Sequence, residues 1–467
     1  MSTPILFIVI PILLALLLAL LQTKRILSTI LGTVFAIILA LLAVFLPDNL
    51  IIEIGNFTIE ITDSLNILGR SLVIEASNLP FVSLMFLITG LWIIGSGWFT
   101  LSNWFRSLAM VIAAILIAAL SVEPFLYAAL LIELAVLLSI PMLSPKGEAV
   151  STGVLRFLIF QTLALPIILL SGWMLSGIEA APANSPLISR ASVLLILGFT
   201  FWLAIFPFHS WLPMISQTSH PWIVSFIVVI MPTTLLMFAL TFIDRYTWLR
   251  SIPQLYDTLR MLGILMIVVG GVLIAIQQHL GRAFGYCVIV ETGFSIMAIG
   301  LTPQGGLDYF SMFFLPRIFG YWLWVFALSL LNDQVKDLSF NATLGIMRVY
   351  PFIGAGIILG QLSIAGLPML ASFPVKRMVW FLAADQPLSI AFWIFIGSMG
   401  LFIFSLRALL HFITPKDGDD PVWKIGEHTR IILPVCLAFL VLVFMGVFPQ
   451  WFMQPMTHLL DAFLRFR

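Results

Sequence analysis

GFTFWLAIFPFHSWLPMISQTSHPW, residues 198–222, is apolar enough for a bilayer, yet it carries Pro207, His209, Pro213 and Pro221. Proline lacks the backbone donor a helix needs and clashes with the preceding turn. In hydrocarbon the freed groups must be satisfied by protein or by water in a cavity. A second stretch behaves the same way. QLSIAGLPMLASFPVKRMVWF, residues 361–381, holds Gly366, Pro368 and Pro374 inside an apolar run. Either break alone reads most simply as a kink, which membrane helices tolerate. Two breaks at corresponding places in two halves point to an inverted-repeat architecture. The expected unwinding lies near Pro207 and around Ala371–Pro374.

Composition makes lipid the solvent. Of 467 residues, 61% are hydrophobic and only 9% charged. Soluble domains carry about 25% charged residues. The net charge of +1 gives no field suited to nucleic acid. Cys287 and Cys436 lie in apolar runs, so no disulfide framework is expected. The start, MSTPILFIVIPILLALLLALLQTKR, is long enough to span and lacks a basic leader, so a retained helix is expected.

Apolar runs of spanning length recur at 4–22, 27–46, 81–101, 107–121, 125–143, 154–177, 191–208, 222–242, 258–277, 283–301, 308–331, 350–371, 388–412 and 430–450. The expected fold is an all-α polytopic membrane protein of about fourteen spans. Spans four to eight and nine to thirteen form two inverted five-helix repeats, with spans seven and twelve broken. The domains are then 1–106, 107–242, 258–412 and a terminal 413–467. In the polar connection 47–80, IIEIGNFTIEI alternates at period two about Gly55-Asn56, which predicts a β-hairpin on the membrane surface. The segment 413–429, with KDGDD, reads as a loop with a short helix. With both termini outside, twelve Lys/Arg fall on inner loops and seven on outer ones, which favours that orientation. Tryptophans such as Trp98, Trp104, Trp248 and Trp451 lie near span ends, as in an interfacial belt. No CxxC, HExxH, P-loop or dinucleotide fingerprint occurs, so no cofactor, metal or nucleotide site is expected on this chain.

FPFHSWLP, GRAFGYCVIVETGF (281–294), GIMRVYPF (345–352) and GLPMLASFPVKRMVWF (366–381) occur in the order found in one family. They resemble the proton-conducting antiporter-like membrane subunits: the M/N/L-type subunits of complex I, and those of membrane hydrogenases and Mrp antiporters. The resemblance runs from about span three to span thirteen and marks a divergent member. It implies ionisable groups near the midplane, joined by water into a proton path. A charge at that depth is costly unless paired or hydrated.

Residue by residue, the family pattern is met only in part. Glu133, in YAALLIELAVLLSIP, falls on the glutamate of span five, and Lys376 on the lysine of span twelve. Lys376 stands beside a half-helix C-terminus, which favours an ammonium; the plainer reading is a side chain snorkelling to the surface with Arg377. For Glu133 the plainer reading is a carboxylate hydrogen-bonded to a polar neighbour. The lysine of span seven is replaced by Trp202, whose indole cannot take a proton near neutrality. Span eight has no lysine near Pro232, Thr233 or Thr234, and Gly281 stands where another lysine is common. Glu291 and Arg317 replace two family histidines, and Tyr321 a lysine. Their opposite charge is easiest to understand if they pair. His209 is either a titratable group at the first break or a ring capping backbone freed by Pro207. Asp244-Arg245, Glu427-His428, His279, His411 and His458 lie at span ends and read as solvated.

The proton-path candidates are thus Glu133, His209, Glu291, Arg317 and Lys376. The expected role is that of an antiporter-like membrane-arm subunit of a complex-I-type respiratory oxidoreductase. Its partners would be other membrane subunits of the complex, partner subunits would carry the redox chemistry, and protons, or sodium, would be moved through the bacterial cytoplasmic membrane. Two alternatives stand beside it: a degenerate structural subunit, suggested by Trp202, and an autonomous ion carrier.

Overall fold

The computed structural model describes residues 2–46, 51–54, 57–60, 62–67, 69–144, 149–176, 186–384, 387–415 and 429–463. A π-helical turn, Ile5–Val9, leads into α1 (Ile10–Leu20), α2 (Arg25–Phe45), α3 (Leu79–Gly95), α4 (Phe105–Ser121), α5 (Ala128–Leu143), α6 (Thr152–Ser176) and α7 (Pro186–Trp202). Next come α8 (Trp211–Thr218), α9 (Pro221–Arg245), α10 (Thr247–Arg250), α11 (Pro253–Ala275), α12 (Leu280–Gly300), α13 (Gly306–Met312) and α14 (Phe314–Val335). The chain continues through α15 (Ile346–Val349), α16 (Pro351–Ala365), α17 (Phe373–Ala384), α18 (Leu388–Ile413), α19 (Thr429–Val447) and α20 (Gln450–Thr457). The apolar runs become helices because a helix bonds its own backbone polar groups, which lipid cannot do. Proline opens α3, α11 and α16, where its missing donor costs nothing.

Among the described residues, ten helices are long and apolar enough to cross a membrane. Ile5–Leu20, Phe105–Ser121, Ser189–Trp202 and Pro351–Ala365 are shorter apolar helices. The chain is an all-α polytopic membrane protein with a small β component. β1 (Ile51–Ile54) and β2 (Phe57–Glu60) form the expected antiparallel hairpin, Ile51 opposite Glu60 and Ile54 opposite Phe57. Its turn, Gly55-Asn56, lies outside the described residues, as do KDGDD and Glu427-His428. A second hairpin, β3 (Ser64–Ile67) with β4 (Arg70–Val73), turns at Gly69 (φ 75°), and β5 (Val122–Glu123) extends it. SLNILGRSLV alternates too weakly to announce this hairpin.

The chain divides into two compact units. The first comprises Met1–Leu203, Phe226–Leu249 and His458–Arg467. In it α2 packs on α3, α6 on α7, and α4 on α1 and α5. Phe125, Phe199, Trp202, Phe238 and Phe242 form an aromatic core, with edge-to-face contacts such as Phe125–Phe242 at 4.9 Å. Ile26, Ile30, Leu41, Val44 and Phe45 are exposed along α2, a surface suited to lipid and not to water.

The second unit comprises Ala204–Ser225 and Arg250–Thr457. α12 is buried along its length and packs on α8 and α11. α14 packs on α16 and α19, and α11 on α18. The last contact is made by glycines: a Cβ on Gly400 would run into the backbone of Gly271.

Both breaks are present. α7 stops at Trp202, Ala204 takes a left-handed φ of 54°, and a 3₁₀ turn, Phe208–Ser210, restarts the chain into α8. α16 stops at Ala365, Gly366 has φ 90° and Met369 φ 71°, and α17 begins at Phe373. The second interruption, 366–372, therefore begins before the expected Ala371–Pro374 and overlaps it at Ala371 and Ser372. Pro374 sits in the first turn of α17, where no intrahelical donor is needed, so it starts a helix and breaks none.

Candidate functional site

The second break builds the most highly charged buried cluster among the described residues. Glu291 projects from the middle of α12, Arg317 from the first turn of α14 and Lys376 from the first turn of α17. Their exposures are 1%, 6% and 4%. Lys376 Nζ lies 2.7 Å from Glu291 Oε1, and Arg317 Nε 3.6 Å from Oε2. Both carboxylate oxygens are buried and are met by charge, without aligned hydrogen bonds. Arg317 Nη2 also donates to the Glu291 carbonyl (2.7 Å) and to Ser295 Oγ (2.6 Å), one turn farther along α12. This fixes the guanidinium without spending the carboxylate.

Lys376 is held by the break itself. Its Nζ donates to the Ile364 carbonyl at 2.5 Å. Ile364 is in the last turn of α16, where carbonyls lack intrahelical partners and the helix dipole is negative. The Phe294 ring lies 4.6 Å away and adds a cation–π contact. Lys376 is thus buried and does not snorkel; Arg377, next in sequence, is exposed and stacks on Phe381. Tyr321 is buried near Cys287 and Glu291.

The chemistry follows from the count of charges. With all three groups ionised the cluster carries one anion and two cations. Arginine keeps its proton. It therefore sets a permanent positive charge 3.6 Å from one oxygen of the Glu291 carboxylate, while the lysine occupies the other oxygen.

Glu133 and Trp202 belong to the first unit. Glu133, 8% exposed, accepts a hydrogen bond from Thr162 Oγ1 at 2.6 Å, while its Oε2 is buried without a hydrogen-bond partner. No ion pair reaches Glu133 among the described residues. The neighbouring residue on α6, Gln161, clasps Trp202: the indole Nε1 donates to the Gln161 carbonyl (3.2 Å) and Gln161 Nε2 donates to the Trp202 carbonyl (3.3 Å). Trp202 is the last residue of α7, so its carbonyl is one of those the helix leaves open. In α9, Thr233 and Thr234 return their hydroxyls to the carbonyls of Val229 and Ile230. His209 stacks on Phe206 (5.5 Å) and tilts against Tyr286 (6.4 Å); it forms no ion pair with the Glu291 cluster among the described residues. Thr162, Gln161 and Ser295 escaped the reading of the sequence, because uncharged polar residues in helices carry no signal until a partner is seen.

A chain with two broken helices and buried ionisable clusters has known relatives. Residues 162–404 match the family described as "NADH:quinone oxidoreductase/Mrp antiporter, TM". The chain belongs to this family. Similar members of the NADH:quinone oxidoreductase/Mrp antiporter family include two proteins named NADH-quinone oxidoreductase subunit N. The one from Deinococcus radiodurans is 24% identical over 283 residues, covering 58% of this chain and 55% of the relative. The one from Cutibacterium acnes is 27% identical over 292 residues, covering 57% and 52%. The matches thus span about half the length of these relatives. The fold is shared more widely. A chain from the membrane-bound sulfane sulfur reductase, an archaeal respiratory membrane complex, superposes with TM-score 0.81 at 15% identity over 99% of this chain and 97% of that one. A chain from the Mrp complex of Dietzia sp. DQ12-45-1b gives 0.81 at 13% identity, covering 98% and 97%. A chain from respiratory complex I of Thermus thermophilus gives 0.70 at 18% identity, covering 96% and 98%.

Proposed function

We propose that this family member is an antiporter-like membrane-arm subunit of a complex-I-type respiratory oxidoreductase. The redox chemistry of that assembly resides in partner subunits, and this chain moves protons. The observation that carries the reading is the Lys376–Glu291–Arg317 cluster at the second break. It places an exchangeable amine between a fixed carboxylate and the open carbonyls of a half-helix. The subunit N relatives and the respiratory complexes that share the fold support the same reading. The proposed organisation is two five-helix repeats, 107–242 and 258–412, in a bacterial cytoplasmic membrane with both termini outside.

Trp202 favours a specific second reading for the first repeat. An indole clasped by Gln161 cannot relay a proton, so Glu133 there lacks the cation found at Glu291. In that reading the first repeat is structural and only the second conducts.

The test is proton translocation by proteoliposomes containing the purified assembly, with Lys376→Ala. Pumping is expected to fall about tenfold or more, equal to at least 1.4 kcal/mol of barrier, while the assembly persists on native gels. Unchanged pumping by an intact Lys376→Ala assembly sinks the conducting role. An autonomous carrier is distinguished by purification: transport by the chain alone, with no other membrane subunit retained, overturns the subunit reading.

A further inference from the structure

A cavity of about 260 Å³ opens beside Lys376, between the end of α16, the start of α17 and the middle of α18. Trp380, Phe395 and Phe402 make its walls apolar, and Lys376, Arg377 and Ser398 are its polar members. Ser398 is 8% exposed, and its hydroxyl is buried with no hydrogen-bond partner. A buried hydroxyl left unmatched is costly, so a partner supplied from within the cavity satisfies an open demand. Phe395, half exposed at 51%, marks the mouth.

Three features define the occupant. The walls ask for an apolar chain. The adjacent cluster has two basic groups for one carboxylate, so the head should be an acid. The depth excludes a permanently charged head: Ser398 is ten residues into the 26-residue α18, roughly 15 Å along its axis and near the middle of a hydrocarbon core about 30 Å thick. A carboxylic acid can enter that depth uncharged; a phosphate cannot.

We propose that this cavity binds the head of a fatty carboxylic acid drawn from the surrounding lipid, its carboxylate held by Lys376 and Ser398. The acid arrives protonated. In the site its O–H bond breaks and the proton passes to the Lys376 amine, giving a carboxylate beside an ammonium. The buried group of charges is neutral before the step, as Glu291 with Arg317, and neutral after it, as two carboxylates with two cations. The alkyl chain leaves past Phe395. Occupancy of the cavity does not depend on whether the chain conducts protons.

The test is photolabelling of the membrane-embedded assembly with a diazirine-bearing palmitate, followed by peptide mapping. Labelling is expected to concentrate on residues 373–402 and to be displaced by palmitate. Palmitamide, which cannot ionise, should compete about tenfold less well, the worth of a charge-assisted hydrogen bond. Ser398→Ala should weaken labelling severalfold, and Ser398→Leu, which fills the cavity, should abolish it with the assembly intact on native gels. Labelling spread evenly over lipid-facing helices overturns the proposal. So does equal competition by palmitamide or by phosphatidic acid, or Ser398→Ala labelling that matches wild type.

Discussion

Glu291 faces two cations and lies nearer the lysine than the arginine. Removing the carboxylate leaves Arg317 and Lys376 buried without the anion that both face. Breaking a buried pair by deleting one partner typically costs roughly 3–5 kcal/mol. Glu291→Gln should therefore lower the thermal unfolding midpoint of the purified assembly sharply. The double change Glu291→Gln with Arg317→Gln should recover much of that loss, because no uncompensated arginine remains. A double variant as unstable as the two single losses added together would show that the groups act independently. Trp202 illustrates the opposite solution to a buried polar demand. Its indole and the Gln161 amide satisfy each other's backbone carbonyls, so the first break is closed by neutral groups where the second uses a charge.

At the scale of elements, helix ends decide where titration matters. His279 caps α12: its Nδ1 accepts from the backbone N–H of Gly281 (3.1 Å) and Arg282 (3.4 Å). The cap needs an unprotonated nitrogen. Burial pushes the imidazole pKa below its ordinary value, helped by the nearby Arg282 charge and opposed by Asp337. The folded state thus binds fewer protons than the unfolded one. The stability this group contributes is fully present above the ordinary imidazole value, about 6.5. It is lost as pH falls from there through the lower folded value. His279→Asn keeps an N-cap acceptor that does not titrate. Thermal unfolding of the two proteins between about pH 5 and 7 should show a flatter profile for the variant; parallel profiles would remove His279 from the account. On the exposed side of the same region, Asp337 accepts from the N–H and hydroxyl of Ser339, and these bonds lower its carboxyl pKa.

For the whole molecule, charge asymmetry sets orientation in the membrane. With twelve lysines and arginines on one set of loops against seven on the other, the positive-inside rule predicts both termini outside, and fusions test it. Alkaline phosphatase fused after Arg467 should be active, and so should the same fusion in the loop after α2, since that helix then inserts with its Arg25 end inside. An inactive fusion at both places would reverse the assignment. The exposed apolar sides of α2 and α18, with Ile26, Val44, Leu388 and Leu410 each more than half exposed, belong against lipid or another subunit.

Apolar runs of bilayer length, nearly free of charge, were enough to establish an all-helical membrane chain, because lipid leaves the backbone no alternative. Proline and glycine marked both breaks for the same reason. Opposite charges in apolar runs were enough to pair Glu291 with Arg317, since either alone is costly at that depth. Tertiary structure decided the rest. That Lys376 sits closer to Glu291 than Arg317 does depends on where Gly366 turns the chain, and no local pattern encodes it. That Pro374 opens α17 instead of interrupting it depends on the same turn. The bonds of Thr162 to Glu133 and of Gln161 to Trp202 join residues far apart in sequence. Neutral polar side chains are silent in a single sequence, because their partners are chosen only when helices pack.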